Sequence, residues 1–324
     1  KGEKEVVRVA VIYSHDFGHF KSVNHDHQWS EAVRSDDTEY RVKRFFLNIN
    51  EDTTANDNRR KAQKTWAKLL EFRPQKIVCY NNEVWDYLED EILAASKSGA
   101  AVALFDILMY HDFIDDIMDS GSEGMYVTFR KISLKLFYEH LALNGVNVNH
   151  YYIFMDRSQE AYHTNISLRK EIAERDPKAK ITTKAVLTVQ DLVAGIFEIQ
   201  LKPQGVILPL SHSLFDVESG RYASPSQLMR EIVSANKKHI EVSLPNNRTA
   251  EGAAFSIAHL HKPCRNNFKH KKNWLKDFLQ SDGQNNILVD IPPVMNMNGK
   301  RINDLGLQNL AKDLSLIHCL GDTY

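Results

Sequence analysis

The sequence predicts an α/β protein of two Rossmann-like lobes, each a parallel sheet flanked by helices, hinged around a central cleft. Three observations predict it. The run 202–216, KPQGVILPLSHSLFD, reads as a short buried strand opening straight into a polar loop. In open α/β sheets, ligands bind where strands stop and such loops begin, at the carboxyl ends of the strands. The same unit recurs in RVAVIYSHDF, PQKIVCYNNEVW, GAAVALFDILMYHDF, VNHYYIFMDRSQEAY and KKHIEVSLPNN. Helical stretches separate these units, and the pattern restarts after a break at GSEGMYVTFR, 121–130.

Each element follows from local pattern. Residues 6–13 form a first strand, and a helix over 22–34 carries Trp29 and Val33 on its inner face at helical spacing. Residues 40–46 form the second strand. A helix over 57–72 aligns Ala62, Trp66, Leu69 and Leu70 on one stripe, and Arg73-Pro74 stops it, because the residue before proline disfavours the α region. Residues 76–80 and 101–105 are strands, with a helix over 85–98 between them that Gly99 ends. After the break come helices over 133–144, 163–175, 189–201 and 226–236, and strands over 150–155, 180–186, 206–210 and 239–243. The tail adds a helix over 273–279 and strands over 287–291 and 316–319. Lobe one is expected to hold 1–128 with a return segment near 257–280, and lobe two 129–256 with 281–324.

The bulk properties narrow the function classes. At 324 residues the chain is long enough for two domains with sizeable cores. Lys and Arg number 41 against 42 Asp and Glu, so no basic excess speaks for a nucleic-acid partner. The basic cluster at 262–272 reads as a solvated helix start. No apolar stretch approaches the roughly 20 residues a membrane span needs. The chain opens on KGEKEVVRVAV and reads as a mature or trimmed chain. Three cysteines cannot all pair. Cys79, in an apolar strand, reads as an inert core thiol, and Cys264 and Cys319 pair only if the fold brings them together.

Catalytic signatures are missing: there is no GxSxG, HExxH, Walker loop or GxGxxG. His212 beside Ser213 is not a triad without a placed base and oxyanion hole. His15, His19, His25 and His27 cluster beside Asp16 and Asp26, but only His15 and His19 are four apart, in a Gly-containing loop. A loop of that kind is a poor cage for a tetrahedral ion, so no metal site is expected there, and none at His259 and His261.

Four segments carry a family resemblance: NRRKAQKTWAKLLEFRPQKIVCYNNEVW, HYYIFMDRSQEAYHTNISLRKEIAE, GVILPLSHSLF and IEVSLPNNRTAEGAAFSIA. The chain resembles the ABC transporter substrate-binding proteins of the family that includes the tryptophan/tyrosine-type binding proteins. The tail VDIPPVMNMNGKRINDLGL resembles that family's closing segment, whereas HLHKPC, 259–264, departs from its Gly-rich stretch. The resemblance implies a type I periplasmic-binding-protein fold and an amino acid as solute.

A cleft for a small polar solute needs hydrogen-bonding groups on both walls, often with an aromatic plate. The strand ends supply Ser14, His15 and Asp16, then Asn81 and Asn82, then Asp106 and Tyr110 on lobe one. On lobe two they supply Asp156, Arg157 and Ser158, then His212 and Ser213, then Asn246 and Asn247. Arg157 is placed to hold a carboxylate as a fork, or is an exposed helix-start arginine. Tyr80 and Trp85 either stack on a ligand ring or pack in the core.

The expectation is an extracytoplasmic solute-binding protein, not an enzyme. It needs no cofactor, is monomeric, and delivers a small solute to an ABC permease in the membrane. Ligand binding favours a closed state over an open one. The alternative is the periplasmic ligand-sensing domain of a membrane receptor such as a histidine kinase, coupled to a signalling module. A repressor's effector-binding core and a metal carrier are more distant rivals. Location is periplasmic or extracellular, with a lipid anchor or receptor membership open.

Overall fold

The computed structural model describes residues 5–16, 26, 29–34, 37–50, 53–109, 113–211, 214–246, 248–258, 273–291 and 293–311. The chain divides into two compact units, Lys1–Arg130 with His270–Ile291, and Lys131–Lys269 with Pro292–Tyr324.

In the first unit, β1 (Glu5–Tyr13) is buried on both faces over its second half, as a central strand of a parallel sheet must be. A short helix, α1 (Trp29–Ala32), leads to the edge strand β2 (Thr38–Phe46), which alternates exposed and half-buried positions. Helix α2 (Ala55–Glu71) starts at Thr54, whose hydroxyl accepts from the Asp57 amide at 3.2 Å. It buries Ala62, Trp66 and Leu69, while Leu70, expected on that stripe, is exposed. Then come β3 (Lys76–Tyr80), α3 (Asn82–Lys97), β4 (Ala101–Met109), α4 (Phe113–Asp119) and β5 (Met125–Lys131).

The second unit repeats the alternation. It runs α5 (Lys135–Leu143), β6 (His150–Met155), α6 (Gln159–Arg175), β7 (Lys180–Ala185), α7 (Val189–Ile199) and β8 (Val206–Leu210). A two-stranded ribbon, β9 (Leu214–Asp216) and β10 (Arg221–Ala223), precedes α8 (Pro225–Ala235), β11 (Ile240–Ser243) and β12 (Phe255–Ala258). The chain then returns to the first unit with α9 (Trp274–Gln280) and β13 (Ile287–Asp290). It ends in the second with β14 (Val294–Met297), α10 (Gly299–Asp304) and α11 (Gln308–Ala311).

Both six-stranded sheets have one strand order. The first runs β2-β1-β3-β4-β5-β13 and the second β7-β6-β8-β11-β12-β14. In each, the second strand in sequence lies outside the first and the third on its other side, so the winding reverses beside the first strand. The ladders β1/β2, β1/β3, β3/β4 and β5/β13 are parallel, as are β6/β7, β6/β8, β8/β11 and β11/β12, while β12/β14 is antiparallel. Each sheet carries a core on both faces. In the first unit one face packs Trp66, Leu88 and Ile92, and the other Tyr13, Tyr80, Phe105 and Phe278. In the second, one face packs Phe137, Leu168 and Phe255, and the other Phe154, Leu192 and Ile232.

Three sequence expectations are corrected. Residues 121–130 hold an unexpected strand, Met125–Lys131, lying between β4 and β13, and the crossing expected in that segment falls at its end, between Arg130 and Lys131. The return segment, expected near 257–280, follows β12, which pairs with β11 in the second sheet. β13, expected with the second lobe, pairs with β5, Ile287 opposite Tyr126. Short apolar runs such as FSIA and ILVD announce a strand but not its sheet, which long-range pairing decides.

One buried group makes stability depend on pH. His239 is fully buried, and its Nδ1 accepts from the Gly205 amide at 3.1 Å while Nε2 donates to the Ile199 carbonyl at 2.8 Å. The bond accepted by Nδ1 needs the neutral ring, and burial, outweighing the Ile199 bond, holds its pKa below the ordinary histidine value. The unfolded chain therefore binds more protons, so this contribution is full above about pH 6.5 and is lost as pH falls through the lower folded value. Urea midpoints are expected to drop between about pH 7.5 and about pH 5.5, with a shallower drop in His239→Gln. An equal drop in both proteins would refute the assignment.

Candidate functional site

In the first unit the reversal of winding lies between β1 and β3, where Ile12 pairs with Cys79. The next residues place Ser14 and Asn81 side by side, with the Asn81 amide nitrogen 3.5 Å from the Ser14 hydroxyl. Ser14 and His15 are buried and joined at 2.8 Å between Oγ and Nδ1, while Asp16 is exposed. The Ser14 carbonyl accepts from the Ile49 amide at 3.0 Å, which fixes this corner against the segment after β2.

Asn81 stands at φ 70° and ψ 161°, a region nearly reserved for glycine, and its amide donates to the Phe105 carbonyl at 3.0 Å. The neighbouring Asp106 also has positive φ, 60°. Two non-glycine residues in such conformations, one following β3 and one in the neighbouring strand β4, are held there by their surroundings. Asp106 lies within β4, two residues past Leu104, rather than after the strand. Its amide donates to Thr128 Oγ1 at 3.3 Å, and its carboxylate meets Arg130 Nη2 at 2.6 Å. Arg130 is buried, and its Nε–H has no hydrogen-bond acceptor among the described residues. Asn82 opens α3 and clamps β4: its amide donates to the Leu108 carbonyl at 2.9 Å and its oxygen accepts from the Leu108 amide at 2.8 Å.

The two aromatic candidates are core residues. Tyr80 stacks on Tyr13 with ring centroids 5.4 Å apart and an interplanar angle of 5°, and its burial raises its pKa well above the usual tyrosine value. Trp85 packs with Leu88 and Ile92 beneath the sheet. Cys79 is buried and unpaired, and burial pushes its thiol up, away from reactivity.

In the second unit the winding reverses between β6 and β8, where Met155 pairs with Leu210. Asp156 and Ser211 therefore leave the sheet side by side, both buried. The Asp156 carboxylate accepts from the Ser158 amide at 2.9 Å and hydroxyl at 2.6 Å. Ser158 in turn caps α6 by accepting from the Ala161 amide at 3.1 Å. Asp156 and Ser158 thus build the helix start, and Arg157 between them is exposed. Asn246 is exposed, and its carbonyl accepts from the Ser243 hydroxyl at 2.9 Å. His212, Ser213, Tyr110 and Asn247 lie outside the described residues, as do His19, His25, His27, His259, His261, Cys264 and Cys319.

The first unit thus gathers Ser14, Asn81 and Asp106 at one sheet edge, and the second gathers Asp156 and Ser211 at another. Sequence reasoning missed Thr128, Arg130 and the role of Ser211. The signal for the first two was present: MYVTFR is rich in aromatic and β-branched residues, as strands are.

No protein-family model and no curated protein sequence matches the chain. Solved structures do share its fold. An ABC domain of Streptococcus pneumonia in complex with L-Trp is 13% identical with a TM-score of 0.56, over 94% of this chain and 95% of that one. An ABC transporter periplasmic solute binding protein from Actinobacillus succinogenes 130z with bound D-allose is 12% identical with a TM-score of 0.52, over 92% and 99%. An extracellular ligand-binding receptor from Verminephrobacter eiseniae is 9% identical with a TM-score of 0.53, over 95% and 82%. At these identities the likeness is one of fold: two mostly parallel sheets flanked by helices, as in type I periplasmic binding proteins.

Proposed function

We propose that the protein is an extracytoplasmic solute-binding protein that captures a small polar solute at the carboxyl ends of its parallel strands and delivers it to an ABC permease. The observation that carries this reading is the repeat of one strand order, with buried polar residues at the reversal point of each sheet. Reversal points are where open α/β sheets bind ligands. The strained Asn81 and Asp106 edge, gripped by Arg130, supplies a preorganised set of donors and acceptors. The neighbours' ligands, L-Trp in one and D-allose in another, support a small polar solute as the class, and an amino acid remains the finer proposal. The receptor among the neighbours favours a second reading, a ligand-sensing domain with the same site and a signalling partner. Neither reading involves a reaction.

Thermal unfolding against a panel of L-amino acids, aldoses, nucleosides and divalent metal salts tests the proposal. A solute at a hundred times its Kd adds about 2.7 kcal/mol of stability, a clear rise in Tm. At least one organic solute is expected to produce it. A panel in which only a metal salt does so, or nothing does, would contradict the reading.

A further inference from the structure

Ser211 follows the last residue of β8 at the reversal point of the second sheet, and the residue is more than nine-tenths buried at 9% exposure. Its hydroxyl has no hydrogen-bond partner among the described residues. Buried hydroxyls without partners are rare and costly, so one at a ligand-binding edge points to a group that completes it. Ser211 lines a cavity of about 30 Å³ whose walls include Pro209, Leu228, Met229 and Leu244. That is room for a water-sized group.

The Ser243 hydroxyl and the Arg248 guanidinium, which also line this cavity, are engaged. The Ser243 hydroxyl donates to the Asn246 carbonyl at 2.9 Å. Arg248 Nη1 donates to the Ser226 hydroxyl at 3.0 Å and pairs with the Glu251 carboxylate at 3.3 Å. That carboxylate neutralises the one cation among the described lining residues, and the apolar walls would penalise an incoming charge. A charged head therefore has nothing to gain here, whereas a hydroxyl gains the Ser211 bond.

We propose that the Ser211 cavity is a specificity subsite that takes one small uncharged hydroxyl of the solute. This rests on the solute-binding reading and assigns to Ser211 a role that Asp156 and Ser158, tied up in the start of α6, do not fill. It makes the solute a hydroxylated one, with its hydroxymethyl or ring hydroxyl seated between β8 and α8.

Crystals soaked in methanol, and separately in sodium acetate, test the cavity itself. Methanol is expected in it with its oxygen about 2.7–2.8 Å from Ser211 Oγ, and to be lost in Ser211→Ala. A cavity that leaves methanol out, or that takes acetate equally, overturns the subsite. The aldose and amino-acid panel on Ser211→Val, which fills the space with a side chain suited to a strand end, tests its use. A solute that stabilises the wild type is expected to bind this variant at least tenfold more weakly, with the urea midpoint unchanged. An equal thermal shift in both proteins overturns the subsite and leaves solute binding standing. A panel that stabilises neither removes the solute reading, and the soaks then decide the cavity alone.

Discussion

Replacing Arg301 by methionine is expected to destabilise the second unit by about 3–5 kcal/mol, because it strands a buried carboxylate. Glu241, on β11, is fully buried, and Arg301, on α10, reaches it with Nη2 at 2.5 Å and Nε at 3.2 Å. The same guanidinium donates to the Asn236 carbonyl at 2.8 Å, closing the end of α8. Asn236 also donates to Glu241, and the Ala254 amide donates to its other oxygen at 3.3 Å. One ion pair therefore ties the end of α8, β11 and the entry to β12 to the distant helix α10. All four tryptophans, Trp29, Trp66, Trp85 and Trp274, fall in the first unit. Urea unfolding of Arg301→Met should accordingly shift the far-ultraviolet circular dichroism transition more than tryptophan fluorescence. Glu241→Leu combined with Arg301→Met should recover part of the loss, since an apolar pair removes the stranded charge. A loss under about 1 kcal/mol in the single variant would show the pair to be no more than a surface contact.

The second large effect is expected at Gly124, where β5 begins against the return segment. Gly124 has φ +74°, and a Cβ there would lie 2.0 Å from the Gly283 carbonyl oxygen. Gly283 itself sits at φ +70° with its own virtual Cβ 2.8 Å from Ala101 Cβ. The close approach is locked by Asn286, which accepts from the Met125 amide at 3.0 Å and donates to the Ser122 carbonyl at 2.8 Å. Gly124→Ala thus combines a disfavoured backbone conformation with a clash against backbone that cannot rotate away. Together these cost about 2–4 kcal/mol. Here the fluorescence transition should move first, since Trp274 opens the returning helix α9. A variant as stable as the wild type would mean that this segment packs differently.

Much of this architecture was legible because buried parallel strands announce themselves as short apolar runs. Lys76–Tyr80, His150–Met155 and Val206–Leu210 form strands at the limits their sequences suggest. Helix α6 begins four residues earlier than periodicity indicates, because Asp156 and Ser158 build a cap that an apolar stripe does not reveal. β5 was hidden by the glycines that precede it, and with it Thr128 and Arg130, whose importance depends on lying beside Asp106. That Ser14, Asn81 and Asp156 directly follow strands was legible, but Asp106 lies inside β4 and the partners of the candidate residues were not legible. Asn82 spends its amide on Leu108, and Ser158 spends its hydroxyl on a helix cap. Such uses depend on partners brought close only by the fold.

Hydrogen exchange with and without the panel's strongest stabilising solute tests the central claim most directly. If the solute sits at the carboxyl ends of the strands, amides in 13–16, 80–82 and 105–109 of the first unit, or in 155–158 and 210–211 of the second, should slow. Protection falling at the amino ends of the strands while all of these segments exchange unchanged would contradict it.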